Sequence, residues 1–248
     1  MIGVSKNSPV GFFDSGLGGL CILDAFKKLL PFESTVYIAD RINCPYGNKS
    51  PEEIIRFSDK IVKRLLSEYR VKMVVVACNT ATASAIDYLR KTYTAVPFIG
   101  LEPAIKPAVL ESKSKVVGVL ATQGTFNGRL YKETSARFAG NTQVIMSVAD
   151  EFVQLVERRE INTPQAEEIV RSKIEPLLKA GADHIVLGCT HFPHLRNPME
   201  KIIQGRAQIV EPSLPVAKQA RNVLEAQNLL ADKNDSPTHL FIENLLSS

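Results

Sequence analysis

The sequence predicts an α/β fold built as two similar lobes with mainly parallel sheets, facing each other across a cleft and related by a pseudo-twofold axis. Three observations carry that expectation. Short apolar runs rich in Val and Ile alternate with amphipathic helical stretches along the whole chain, the pattern of repeated strand–helix units. The chain also repeats itself weakly: "MVVVACNT" and "HIVLGCTH" set Cys78 and Cys189 111 positions apart, and "VGFFDSG" and "VGVLATQG" begin 107 positions apart, as a duplicated unit would. Finally, 248 residues suffice for two modest domains, and 45% hydrophobic with 23% charged residues is ordinary globular composition.

Taken in order, the expected strands are Val10–Phe13, Val36–Ala39, Met73–Ala77, Pro97–Gly100, Val116–Ala121, Val144–Val148, Ile185–Gly188 and Gln208–Val210. Each is a short β-branched or aromatic run bounded by turn residues. The helices between them are well marked. Ser50-Pro51-Glu52-Glu53 is a capping box with Pro at the first helical position, followed by Ile54, Ile55, Ile61, Val62, Leu65 and Leu66 at helical spacing. The first lobe is expected over 1–98 plus 211–248, with C-terminal helices packing back on it, and the second over 99–210. In parallel sheets ligands bind beyond the carboxyl ends of the strands, so the strand ends are where chemistry is sought.

Composition narrows the function. A net charge of +4 without a basic run argues against nucleic acid as a partner. The N-terminal "MIGVSKNSPVGFF" has no long apolar core, and no run approaches the roughly 18 apolar residues of a membrane span. A cytoplasmic protein with no membrane partner is expected. Cys21, Cys44, Cys78 and Cys189 are widely spaced with no CxxC, so they read as reduced thiols.

Taken singly, Cys78 or Cys189 reads as a packed core thiol. As a pair on equivalent strand ends they read as two acid/base groups, one for each face of a bound molecule, which is what removal and return of an amino acid α-proton requires. Free thiols ionise near pKa ~8.5, so one must be activated. Cys78 precedes the helical "NTATASAIDYLR", whose N-terminal dipole favours a thiolate, whereas Cys189 has His191 two residues on as proton partner. Asp14-Ser15-Gly16-Leu17-Gly18-Gly19 at the first strand end offers polar side chains and backbone N–H groups. A dinucleotide-binding turn is the rival reading, with Asp40, 24 residues after Gly16, as a ribose contact. It is weakened by Cys21 at the third glycine position and by the charge of Asp14. The loop "NCPYGNKS" turns at Pro45 and Gly47, and Tyr46 could close over a ligand. Thr122 and Thr125 could bind a carboxylate or cap the next helix. Cys189-x-His191-x-x-His194 resembles half a zinc site without a second half, and no metal is expected. His184 and His239 read as surface or hinge residues, and Cys21 as core packing.

Together "GFFDSGLGG", "PYG", "VVACNTA", "GVLATQGT", "FVQLVE" and "GCTHFP", spread from residue 11 to 193, resemble the glutamate racemases of the aspartate/glutamate racemase superfamily. The resemblance implies Cys78 as the thiol on the D-glutamate side and Cys189 on the L-glutamate side, with Asp14, Glu157 and His191 as auxiliary acid/base residues. It implies substrate binding by Asp14-Ser15, Tyr46-Gly47, Asn79-Thr80, Thr190-His191 and Thr122. It further implies D-glutamate supply for peptidoglycan, no pyridoxal phosphate or other cofactor, no metal, and a homodimer. The chain departs from the family pattern at Val148-Ala149-Asp150, where Ala-Cys-Pro is common.

Overall fold

A computed structural model of the chain describes residues 4–233 and 236–243. The expectations for the termini that rest on residues 1–3 and 244–248 lie outside the described residues. The chain divides into two compact units, one running up to Leu101 and resuming at Ser213, the other Glu102–Pro212.

The first unit is built from β1 (Val10–Asp14), α1 (Leu20–Leu29), β2 (Thr35–Ala39), α2 (Pro51–Ser67), β3 (Met73–Val76), α3 (Asn79–Thr92) and β4 (Phe98–Ile99). The second follows with α4 (Ile105–Glu111), β5 (Val116–Ala121), α5 (Gln123–Asn127), α6 (Arg129–Phe138), β6 (Gln143–Val148), α7 (Asp150–Glu157), α8 (Pro164–Lys179), β7 (His184–Leu187), α9 (Arg196–Ile203) and β8 (Gln208–Val210). The chain then returns to the first unit with α10 (Ser213–Ala226) and β9 (His239–Glu243). All strand pairs described are parallel. The first sheet runs β4-β3-β1-β2-β9 and the second β6-β5-β7-β8. Reading the second backwards superposes β8, β7, β5 and β6 on β4, β3, β1 and β2, so the internal repeat of the sequence is a repeat of sheet topology.

The strand β9 corrects the expectation that everything after Glu211 is helical. Among the described residues of that stretch only α10 is a helix. HLFIE pairs with β2 through Thr35↔His239 to Ala39↔Glu243 and forms an edge, where one neighbour is enough to hold a short strand with little apolar patterning.

Each strand splits its side chains between two faces. In the first unit Val10, Phe12, Tyr37, Met73 and Val75 meet Ile22 and Phe26 of α1 and Val216, Ala220 and Leu224 of α10. Gly11 faces the other way, against Leu65 and Val71. In the second unit Val117, Val119 and Val186 pack with Ile105, Ala108, Phe126 and Tyr131. The capping box of α2 forms as expected: the Glu53 N–H donates to Ser50 Oγ at 3.2 Å and the Ser50 N–H to Glu53 Oε2 at 2.9 Å. No helix among the described residues is long and apolar enough to cross a membrane.

The feet of the Cys-bearing strands are tied by different chemistry. Lys72, just before β3, is buried and its Nζ lies 2.7 Å from Glu33 Oε2. It also donates to the Lys6 carbonyl, and Glu33 Oε1 accepts from the Ala231 N–H at 2.8 Å. The equivalent residue before β7 is Asp183, which accepts from Ser112 Oγ at 2.7 Å, Lys113 N–H at 2.7 Å and Ser114 N–H at 2.8 Å. Its neighbour His184, expected as a surface or hinge residue, is buried, with Nδ1 2.8 Å from Asp183 Oδ1. The residue opens β7, paired with Val117 on one side and Gln208 on the other, and its ring is held by Asp183.

Candidate functional site

In the first unit the sequence-marked residues gather at the carboxyl ends of β1, β2 and β3. Cys78 is the N-cap of α3 and its Sγ accepts from the Ala81 N–H at 3.4 Å. Sulfur here meets the first-turn N–H groups and positive dipole end of a 14-residue helix, a place that favours negative charge. The thiol is 5% exposed, with Sγ 4.0 Å from Ser15 Oγ. The Ser15 hydroxyl in turn lies 3.4 Å from Asp14 Oδ1.

Asp14 is fully buried, and its Oδ2 accepts from the Gly19 N–H at 2.8 Å, closing the glycine-rich turn onto the strand end. Gly19 admits no side chain: a Cβ there would stand 2.7 Å from Tyr37 Oη and 2.8 Å from the Ala77 carbonyl oxygen. The Tyr37 hydroxyl also donates to Gly16 O at 3.0 Å, so the turn is held from below. The dinucleotide reading loses its contacts in this arrangement, because the Gly19 N–H is engaged by Asp14, and Asp40 accepts from Tyr46 and Asn43.

Asn79 and Thr80 open α3 and are buried. Neither Nδ2 nor Oδ1 of Asn79 has a hydrogen-bond partner among the described residues. A buried amide with both ends unsatisfied is costly, and a polar ligand would repay it. Tyr46, read from the sequence as a residue that could close over a ligand, is packed inside its own unit. Its side chain is 1% exposed, its ring rests on Phe57 with centroids 5.8 Å apart, and its hydroxyl donates to Asp40 Oδ2 at 2.6 Å. Gly47 follows in the same short turn, Tyr46–Asn48. Cys21 packs half-buried beside the core, its thiol donating to the Gly18 carbonyl at 3.2 Å.

In the second unit the corresponding residues lie at the ends of β5 and β7 and on α7. Cys189 stands two residues beyond β7, as Cys78 stands two beyond β3. Its thiol is 6% exposed and its Sγ is 3.8 Å from His191 Nδ1. His191 is buried, with Nε2 2.7 Å from Glu157 Oε1, so the carboxylate orients the imidazole and the imidazole faces the thiol. Phe192–Leu195 form a tight 3₁₀ turn and α9 begins only at Arg196, which removes the helix end from Cys189 and leaves room for His191. Thr190 is buried beside the thiol. Thr122 caps α5, accepting from the Thr125 N–H at 3.3 Å, so of the two readings of this threonine the local structure displays the cap. Asp150 accepts from the Gln123 N–H at 3.3 Å. Burial outweighs that bond and raises its carboxyl above the ordinary range.

Asp40 and Tyr37 are the residues that sequence reasoning missed or misread. A buried polar head in the apolar run of β2 was the available signal for Tyr37. For Asp40 the signal was a carboxylate at a strand end with a tyrosine six residues on.

Two like-ordered parallel sheets, each ending a central strand in a buried thiol, define the class. Residues 21–220 match the model of the Asp/Glu/Hydantoin racemase family, and the chain belongs to that family. It is 45% identical over 225 residues to a glutamate racemase of Herpetosiphon aurantiacus, covering 91% of this chain and 88% of that protein. Among solved structures, glutamate racemase from Francisella tularensis in complex with D-glutamate aligns with TM-score 0.84 at 29% identity, covering 97% of this chain and 89% of that one. The Escherichia coli glutamate racemase in complex with L-glutamate and an activator aligns with TM-score 0.84 at 31% identity, covering 96% and 90%.

Proposed function

We propose that the chain interconverts L- and D-glutamate by direct proton exchange at the α-carbon, with Cys78 and Cys189 as the two acid/base groups. The observation that carries the reading is their equivalence: one buried thiol at the same point of the same strand in each of two like-ordered sheets. Racemisation needs one base for each face of the α-carbon. Starting from D-glutamate, the Cys78 thiolate takes the α-proton and becomes a thiol. The Cys189 thiol gives its proton to the opposite face and becomes the thiolate. From L-glutamate the roles exchange, so the enzyme ends each turnover set for the reverse direction.

Asp14 assists the first thiol through Ser15, and Glu157 assists the second through His191. The substrate is held by Asp14-Ser15, Tyr46-Gly47, Asn79-Thr80, Thr122 and Thr190-His191. The unsatisfied Asn79 amide supports that assignment from the first unit. No pyridoxal phosphate and no metal enter the scheme. Similarity to glutamate racemases supports glutamate as substrate, and with it D-glutamate supply for peptidoglycan by a cytoplasmic homodimer.

The test is a chiral assay with L-glutamate and no added cofactor. D-glutamate should accumulate to an equal mixture, and an alkylating reagent should inactivate with protection by glutamate. Turnover of aspartate but not glutamate would move the substrate assignment, and inactivity with both would overturn the reading.

A further inference from the structure

Asp40 is a buried carboxylate that the proton exchange above does not use. It directly follows β2, whose Ala39 is in register with Asp14 of β1, and its backbone N–H donates to the Asp14 carbonyl at 2.9 Å. Its own carboxylate, 1% exposed, accepts from both anchoring side chains of the loop that follows. Asn43 Nδ2 lies 3.0 Å from Oδ1 and 2.9 Å from Oδ2, and the Tyr46 hydroxyl lies 2.6 Å from Oδ2. One residue thus ties together the strand end that carries Asp14, through its backbone N–H, and the loop that carries Tyr46-Gly47, through its carboxylate. With its ring buried and its hydroxyl committed, Tyr46 has only backbone left to offer a ligand.

We propose that Asp40 is a positioning residue which, by holding Asn43 and the Tyr46 hydroxyl, sets the Tyr46-Gly47 turn against the Cys78 strand end for substrate binding. This rests on the glutamate reading above. Hydrogen bonds to a charged acceptor are the strong ones, and here one acceptor serves two donors from the same loop. Burial first, and then the Asp40 charge, hold the Tyr46 hydroxyl far above the ordinary tyrosine pKa. It therefore remains a donor at every pH at which a thiol pair works. A purely structural clasp would lower thermal stability and the active fraction without changing substrate affinity. A positioning clasp shows in KM.

The experiment compares steady-state kinetics of the full chain with both enantiomers, together with melting temperatures, for wild type, Asp40→Asn, Tyr46→Phe and the double variant. Tyr46→Phe removes one hydroxyl and keeps the ring, so it serves if Asp40→Asn does not fold. The expected result is a KM for each enantiomer raised about tenfold in either single variant, equivalent to about 1.4 kcal/mol, with kcat within about threefold. The double variant should be no worse than the poorer single, because both changes cut the same link. Wild-type KM in Tyr46→Phe, or single effects that multiply in the double variant, would overturn the inference while leaving the racemase reading standing. A wild-type protein that does not racemise glutamate would overturn both.

Discussion

Cys78 and Cys189 end equivalent strands, yet their surroundings share almost no residue types. In the first unit α3 begins at the residue after the thiol, and the sulfur caps it. In the second unit a 3₁₀ turn delays the helix, and the sulfur faces an imidazole. Both nevertheless make the same chain of groups: Asp14, Ser15, Cys78 on one side and Glu157, His191, Cys189 on the other. A duplicated strand end has kept its topology while the group between carboxylate and thiol diverged. The serine link is long, at 3.4 Å from Asp14, and the histidine link is tight, at 2.7 Å from Glu157. The first thiol leans on the helix end and the second on a side-chain relay.

The same divergence appears at the feet of these strands, where the first unit has the cation Lys72 and the second the anion Asp183. Lys72 and Glu33 are both almost wholly out of water, at 0% and 2% side-chain exposure. Asp183 keeps part of its surface and is satisfied mainly by donors from one loop and by His184. A buried pair is costly to break from one side and cheap to replace from both. A carboxylate ringed by donors depends on its own charge.

The comparison sets the order of expected effects. Cys78→Ala and Cys189→Ala should each lower racemisation by about 10³-fold or more with unchanged circular dichroism, and near-full activity in either would end the two-thiol scheme. Lys72→Met should destabilise by about 3–5 kcal/mol in denaturant unfolding, and the added Glu33→Gln should recover part of that loss. Glu157→Gln should lower kcat by about tenfold or more, and Ser15→Ala by less, because the helix end still serves Cys78. An equal loss in the two would contradict the contrast drawn between them.

Asp183→Ala should cost about 2 kcal/mol, less than the loss expected for Lys72→Met, and it carries a pH signature. Burial works against the charge of Asp183, but the His184, Ser114, Ser112 and Lys113 donors outweigh it and hold the carboxyl well below the ordinary range. A depressed carboxyl contributes its full stability above the unfolded pKa of about 4 and loses it as pH falls toward the native value. The gap in stability between wild type and Asp183→Ala should therefore be constant near neutrality and shrink on acidification below about pH 4.

Much of this was readable from the chain. All eight expected strands occur within a residue or two of their expected ends, because buried parallel strands need β-branched runs that leave a strong signal. The ninth, HLFIE, is exposed over its first three residues and leaves almost none. The thiols and their polar neighbours stood out because such residues are conspicuous after apolar runs. The behaviour of Tyr46 did not, since whether a loop tyrosine faces a ligand or an internal carboxylate depends on where Asp40 lies once the loop closes. Nor could the sequence distinguish a buried His184 from an exposed one, because the Asp183 clasp is made with residues some seventy positions away.

The central claim is that each thiol serves one face of the α-carbon, and solvent labelling tests it most directly. L-glutamate converted in deuterated water, and D-glutamate in a parallel run, should give early product that is deuterated at Cα while the remaining substrate still carries protium. Early product that retains protium, or substrate that takes up deuterium as fast as product forms, would mean a single base working both faces, and would contradict the account.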